Sequence, residues 1–361
     1  MRFILSTYTT RFFFLTLSTL VATSFFLVAC GEDDDDGDGR SASEITSREL
    51  EYLSATTENL KSKTSQLRRA WDSSGENFAA EVANAGTSST IYKSQKSAVQ
   101  EMVNGMIVIA DEVANGKISD PFNERDTTLV ESQFSFNSIA DFQDNIRGIQ
   151  NVYMGKFTAD GKGLNEFVAG KNSSLDSRFR REVQAAIDAI GAIPDPFRDS
   201  ITANRSSVQA AIDAVSKVQQ TLEGDILKLV LSSDFNDFDA STMLDDFANK
   251  VVLATYIDLD NKASTLLDAV RELQSSTTQA NLESAQEAWI AARRPWEQSE
   301  AFLFGPVDTQ GLDPALDSWP VNRVDLDAVL SSGNTLSASS IDGLEDTLKG
   351  FHTIEYLLFR Y

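Results

Sequence analysis

Histidine is nearly absent from this chain: its 361 residues contain one, His352, and the only cysteine is Cys30. A single cysteine excludes an intramolecular disulfide, and with a single imidazole it excludes the Cys/His sets of structural zinc sites. Basic residues are also few, 31 Lys and Arg against 54 Asp and Glu, giving a formal charge of −23. No Lys/Arg cluster forms a phosphate-binding face, so nucleic acid is not an expected partner, and the acidic surface favours cations. Strand-like alternation bounded by turn signals is scarce, which argues against a β fold. What is present is apolar material, 42% of the chain, enough for buried cores over a length that suggests roughly two domains.

Residues 1–29 hold Arg2 and Arg11, no acid, and an apolar run over 12–29, the n-region and h-region of a secretory signal. Leu27-Val28-Ala29-Cys30 closes the run and resembles the lipobox of bacterial lipoproteins, so Cys30 is the expected lipidation site. The protein is then expected in the bacterial cell envelope, attached to the membrane through Cys30, at the outer membrane or cell surface. Residues 30–46 begin with a run of acids and read as a solvated tether. A calcium loop fits there only in part. Asp34, Asp36, Asp38 and Gly39 match its early positions, but the closing position falls on Ile45 with Glu44 one residue early.

From Ser47 onward the periodicity is helical. Leu53, Leu60 and Leu67, with Leu50 and Trp71, give a first amphipathic helix that stops near Ser73-Ser74-Gly75. The spacing predicts further helices over 92–113, 138–153, 176–190, 197–230, 242–273, 278–304, 324–330 and 341–359. The expected fold is all-α, two helical bundles over 47–233 and 242–361, with a boundary at Ser232-Ser233-Asp234-Phe235-Asn236-Asp237-Phe238-Asp239. Residues 155–174, around Gly161-Lys162-Gly163, read as a connecting loop, because the spacing and ending of a phosphate-binding loop are missing.

His352 lies three residues before Glu355 in the last helical run, and a helix sets i and i+3 on one face. The imidazole and carboxylate can therefore converge on one ion or one substrate group. Upstream stand Ala288-Trp289-Ile290-Ala291-Ala292-Arg293-Arg294-Pro295-Trp296-Glu297-Gln298-Ser299-Glu300 and Asp317-Ser318-Trp319-Pro320, followed by Gly-x-His-x-x-Glu at 350–355. In that order these stretches resemble the N-terminal half of the imelysin-like proteins, bacterial envelope proteins of two helical bundles. Val130-Glu131-Ser132-Gln133-Phe134-Ser135-Phe136-Asn137-Ser138, with Asp141, Asn145-Ile146-Arg147-Gly148 and Ile193-Pro194-Asp195-Pro196-Phe197, is similar to the second half of the same family. The halves stand in reversed order, as in a circular permutation, which compact domains with adjacent exposed ends tolerate.

The resemblance implies a cleft between the bundles that binds a metal, iron first, as part of iron uptake with partner proteins. His352 and Glu355 would be its metal ligands; Arg293, Arg294, Glu297 and Glu300 would line the same half, with Glu131, Ser132, Ser135 and Asp141 facing them. One imidazole among carboxylates suits iron, manganese or calcium better than catalytic zinc. Two alternatives stay open: an imelysin-type metallopeptidase, and a lipoprotein that binds a non-metal ligand or a partner protein.

Overall fold

The computed structural model describes residues 40–360, and they contain helices and no strand. The signal segment, Cys30 and most of the tether lie outside the described residues. The tether's last part is packed rather than solvated: Arg40, Ala42 and Ile45 are buried, and Ala42–Glu44 is a short 3-10 turn closed by a capping box from Ser41. No helix among the described residues is long and apolar enough to cross a membrane.

Eight long helices carry the architecture. They are α1 (Ser47–Trp71), α2 (Gln95–Asp111), α3 (Ser138–Met154), α4 (Ser173–Gly191), α5 (Arg205–Thr221), α6 (Leu253–Ser275), α7 (Gln279–Ser299) and α8 (Gly350–Phe359). Their starts follow from local chemistry: Thr46 and Glu49 make a reciprocal capping box on α1, and Thr278 accepts from Asn281 at the head of α7. The stripe predicted for α1 is its core face, with Leu53, Leu60 and Leu67 fully buried.

Two groups of four emerge from the packing. Helices α2, α3, α4 and α5 pack in a ring, and α1, α6, α7 and α8 form the other. Helix α1 thus sits with the C-terminal helices, not with the 47–233 segment that the sequence grouped it in, because its apolar face is covered by α6 and α8. The groups meet along α3 and α7. Gly148 makes that approach possible, since a Cβ there would stand 2.4 Å from the Gln298 carbonyl oxygen.

Other predicted spans are corrected in detail. Residues 155–174 include a helix, Leu164–Lys171, and the 197–230 span breaks at Asn204. The helix expected over 92–113 continues through a π-helical turn, Glu112–Ile118. The predicted 341–359 helix is three pieces, Ala338–Asp342, the 3-10 turn Asp346–Leu348, and α8. Its last break is at Gly350, whose φ of +77° favours glycine, and where a Cβ would meet the Leu316 carbonyl oxygen at 2.3 Å. The break sets His352 in the first turn of α8, facing Asp317 and Glu131.

The two ends of the described chain lie together. The Arg40 guanidinium donates to the Leu357 carbonyl and pairs with Glu49 at 3.0 Å, and Arg360 pairs with the same carboxylate.

Candidate metal centre

Of the residues that the sequence singled out, all but Arg294 lie in or beside a buried cluster between α3, α7 and α8. Helix α7 contributes Arg293 and Glu297, one turn apart, and Glu300 from its 3-10 extension. The short helix Leu312–Asp317 contributes Asp317, α8 contributes His352 and Glu355, and the π-helical turn contributes Lys117. Glu131 and Ser132 come from the turn before α3, whose cap is Asn137 rather than Glu131 or Ser132. That turn carries Ser132 and Phe136 at φ +52° and +57°, left-handed values that non-glycine residues adopt at a cost of about 1 kcal/mol or more.

Arg293 is the hub of the cluster. It pairs with Glu131 at 2.8 Å and Asp141 at 3.5 Å, and it also binds Glu297 and Asp317. The Lys117 ammonium lies 2.7 Å from Glu300, 3.1 Å from Glu131 and 3.4 Å from Glu297. The Asn145 amide donates to Glu297 and Glu300, each at 2.7 Å. Asp317 accepts from the Trp296 indole at 2.6 Å, and Asp141 accepts from Ser132 at 2.5 Å and from Asn137 at 2.7 Å.

His352 stands between two carboxylate groups. On one side its Nδ1 faces Glu355 at 3.3 Å, and the other Glu355 oxygen accepts from the backbone N–H groups of Phe134 and Ser135 and from the Ser135 hydroxyl, all at 2.9 Å. On the other side Nε2 lies 3.2 Å from Asp317 and 3.6 Å from Glu131, and it completes no hydrogen bond with either. The expected convergence of His352 and Glu355 on one ion is therefore replaced by a different geometry. Glu355 orients the ring, while Nε2 points to Glu131 and Asp317, whose ligand atoms and the imidazole's all lie within 4.8 Å of one another. A second group within the same reach is Glu297, Glu300 and Asp317.

Arg294 is outside the cluster, exposed and 3.9 Å from Asp144. Ser135 donates to Glu355 and, from its hydroxyl, to the Ser132 carbonyl at 3.3 Å. Three members escaped the sequence reading as site residues: Asp317 and Asn145, both inside the motif stretches, and Lys117, which no motif marks.

Charge is out of balance. Glu131, Asp141, Glu297, Glu300, Asp317 and Glu355 are six buried carboxyl groups, against Lys117, Arg293 and His352 as the only cations in the cluster. The protonation equilibria follow. Burial opposes ionisation of Glu131, yet Lys117, His352 and Arg293 hold it down at about 2, and Arg293 and His352 keep Asp317 below the usual range against the same penalty. Burial wins at Asp141, pushed up to about 6, and at Glu297 and Glu300, pushed well above an ordinary carboxylic acid. Burial also opposes the His352 charge, but Asp317, Glu131 and Glu355 raise its pKa well above that of free imidazole. The excess negative charge is thus met by protons, and a bound cation would displace them.

The fold and the site together define a class, a helical protein with a carboxylate–imidazole cluster enclosed between two groups of helices. The comparisons give the family. The sequence model of the imelysin family matches residues 31–222 and 252–361, and this chain belongs to that family. It is similar to the crystal structure of an imelysin peptidase from Bacteroides ovatus, with a TM-score of 0.79 and 34% identity over 87% of this chain and 94% of that one. It is also 42% identical over 113 residues to Iron-regulated protein A of Synechococcus elongatus, and that match spans 31% of this chain and 30% of the relative, less than a third of its length.

Proposed function

We propose that this protein is a lipid-anchored component of the bacterial envelope that takes up a metal ion, iron first, in the buried cluster as a step of iron acquisition. The observation that carries the reading is the pairing of six buried carboxyl groups against three cations with an imidazole Nε2 that completes no hydrogen bond. The donors fit: Glu131, Asp317 and His352 would hold the ion, one nitrogen and two carboxylates, a set suited to ferrous, ferric or manganous ions. Glu355 would keep the proton on Nδ1 so that Nε2 presents its lone pair. The bound ion supplies positive charge that the fixed acids lack, and its arrival sends protons out. An iron-regulated relative and an imelysin fold support the iron connection.

The peptidase alternative, suggested by the name of the solved relative, has less support from the site. Hydrolysis needs an open coordination position reached by a peptide, whereas His352, Glu131 and Asp317 are exposed by 6% at most. Anchoring through Cys30 and a reversed order of the family's halves belong to the same proposal. The order is supported by the convergence of Arg40 and Arg360 on Glu49. Joining residues 360 and 40 by a short linker and opening the chain at 232–242 should then leave the melting transition intact, and loss of folding would sink the permuted order.

The test of the function is metal content and thermal stability of the protein purified without chelator. Iron at about a hundred times its dissociation constant should stabilise the wild type by roughly 2.7 kcal/mol. His352→Ala and Asp317→Asn should abolish that gain, and Glu355→Gln should weaken affinity by roughly 10–100-fold. Equal stabilisation of all four proteins would remove the metal from this cluster.

A further inference from the structure

The Lys117 ammonium sits in a place that ion sites of this composition give to a metal. Two ligand groups share Asp317: Glu131, Asp317 and His352 on one side, Glu297, Glu300 and Asp317 on the other. Carboxylate-bridged pairs of metal ions stand roughly 3.5–4 Å apart and are held by such overlapping sets. Arg293 pairs with acids of both sets, and the second set carries a further cation, since Lys117 reaches Glu300 at 2.7 Å and Glu297 at 3.4 Å and then touches Glu131 of the first set at 3.1 Å.

Its delivery is specific. The lysine comes from a π-helical turn, Glu112–Ile118, a local widening of the helix that is common at functional sites. Its side chain is fully enclosed, and the ammonium also lies 5.6 Å from the Trp319 ring centre. A buried lysine is costly unless paired, and here the pairing is complete, with burial opposing its charge and Glu131, Glu297 and Glu300 raising its pKa well above the ordinary value.

We propose that Lys117 is a built-in substitute for a second metal ion, restricting the cluster to a single ion bound at Glu131, Asp317 and His352. The inference rests on the metal reading above and adds the stoichiometry and the residue that sets it. A fixed ammonium contributes one positive charge where a divalent ion would contribute two, so it leaves the first set enough negative charge to bind while closing the second set to metal. Its consequence for handling iron is that no two ions are held side by side, so no oxygen-bridged pair can form inside the protein.

The experiment compares wild type, Lys117→Met and Lys117→Arg, each loaded with manganese(II), desalted and analysed for metal per chain. The expected result is about one ion for wild type and for Lys117→Arg and about two for Lys117→Met, with spin coupling between the two ions in its electron paramagnetic resonance spectrum. One ion in Lys117→Met, with one in wild type, overturns the role of Lys117 and leaves the metal reading standing. No ion in wild type overturns the metal reading, and this inference with it. If Lys117→Met does not fold, the wild-type spectrum decides: an isolated-ion signal at saturation is expected, and a coupled pair overturns the proposal.

Discussion

Two ion clusters among the described residues, one around Asp260 and one around His352, differ in balance. Between α1 and α6, Asp260 is one carboxylate met by four donors: Lys61 at 2.7 Å, Ser65 at 2.8 Å, Thr64 at 3.2 Å and Arg68 at 3.5 Å. Burial opposes its ionisation, but Lys61 and Ser65 prevail and hold its pKa below the usual value. Around His352 the numbers reverse, with carboxyl groups outnumbering cations two to one. The contacts are of the same kind in both places, so the lesson lies in the surplus. A clasp that only joins two helices closes its charges, whereas a cluster that keeps acids in excess does so at a cost in stability, and on that excess the proposed metal binding rests.

Removing the hub should break the comparison most severely. Arg293→Leu leaves Glu131, Asp141, Glu297 and Asp317 without their shared cation, and loss of one partner from a buried ionic network costs about 3–5 kcal/mol. Denaturant unfolding of the metal-free protein measures it, and a loss below about 1 kcal/mol would mean that the acids are already neutral without the arginine. The matching change in the balanced clasp, Asp260→Asn, should cost less, about 1–3 kcal/mol, by weakening charge-assisted hydrogen bonds. On the proposed function, iron should stabilise this variant as much as wild type. Loss of the iron response there would mean that the two clusters are coupled, against the division drawn between them.

The sequence was most legible where one physical signal sufficed. The recurrence of Leu53, Leu60 and Leu67 predicts α1 because burial of one helix face is a periodic demand, and all three are fully buried. The tail was less legible: apolar spacing runs on across 341–359, while the backbone breaks at Gly350, a dihedral preference that periodicity does not record. Leu164–Lys171 was hidden by Gly161 and Gly163 before it and Gly170 inside it. At the site, Arg293, Glu131, Asp141, Glu297, Glu300 and His352 lie in one buried cluster. Glu355 could not be assigned its side of the ring, since i, i+3 spacing fixes a shared face but not which imidazole nitrogen is met. Lys117 was invisible because a lysine after Asn115-Gly116 reads as a solvated helix end, and only the π-helical turn brings it inside.

A half-buried acid beside the main cluster sharpens the comparison through pH. Burial, with Asp317 and Glu112 nearby, raises Asp313 from 3.8 to about 7. The folded state therefore keeps a proton that the unfolded state has lost, and stability attributable to this group declines as pH rises from about 4 to 7 and levels off above that. Asp313→Asn removes the titration. Its effect should be near zero at pH 4 and a gain on the order of 1 kcal/mol at pH 8, read from denaturant midpoints at the two values. The same change at both would place the acid in water.

The smallest effect tests the division between inside and outside along a single helix. Arg293 and Arg294 are adjacent, chemically identical and both part of the family stretch, but successive residues on a helix point about 100° apart. Arg293 is fully buried among four carboxylates, whereas the Arg294 side chain is 64% exposed with Asp144 at 3.9 Å. Exposed pairs at that separation contribute little, so Arg294→Ala should change stability by less than about 0.5 kcal/mol and leave the iron-induced stabilisation as it is. A loss of iron response in Arg294→Ala would mean that this face of α7 meets the cluster in a conformation other than the closed one. Access to the proposed ion site would then run along the α7 surface near Asp144.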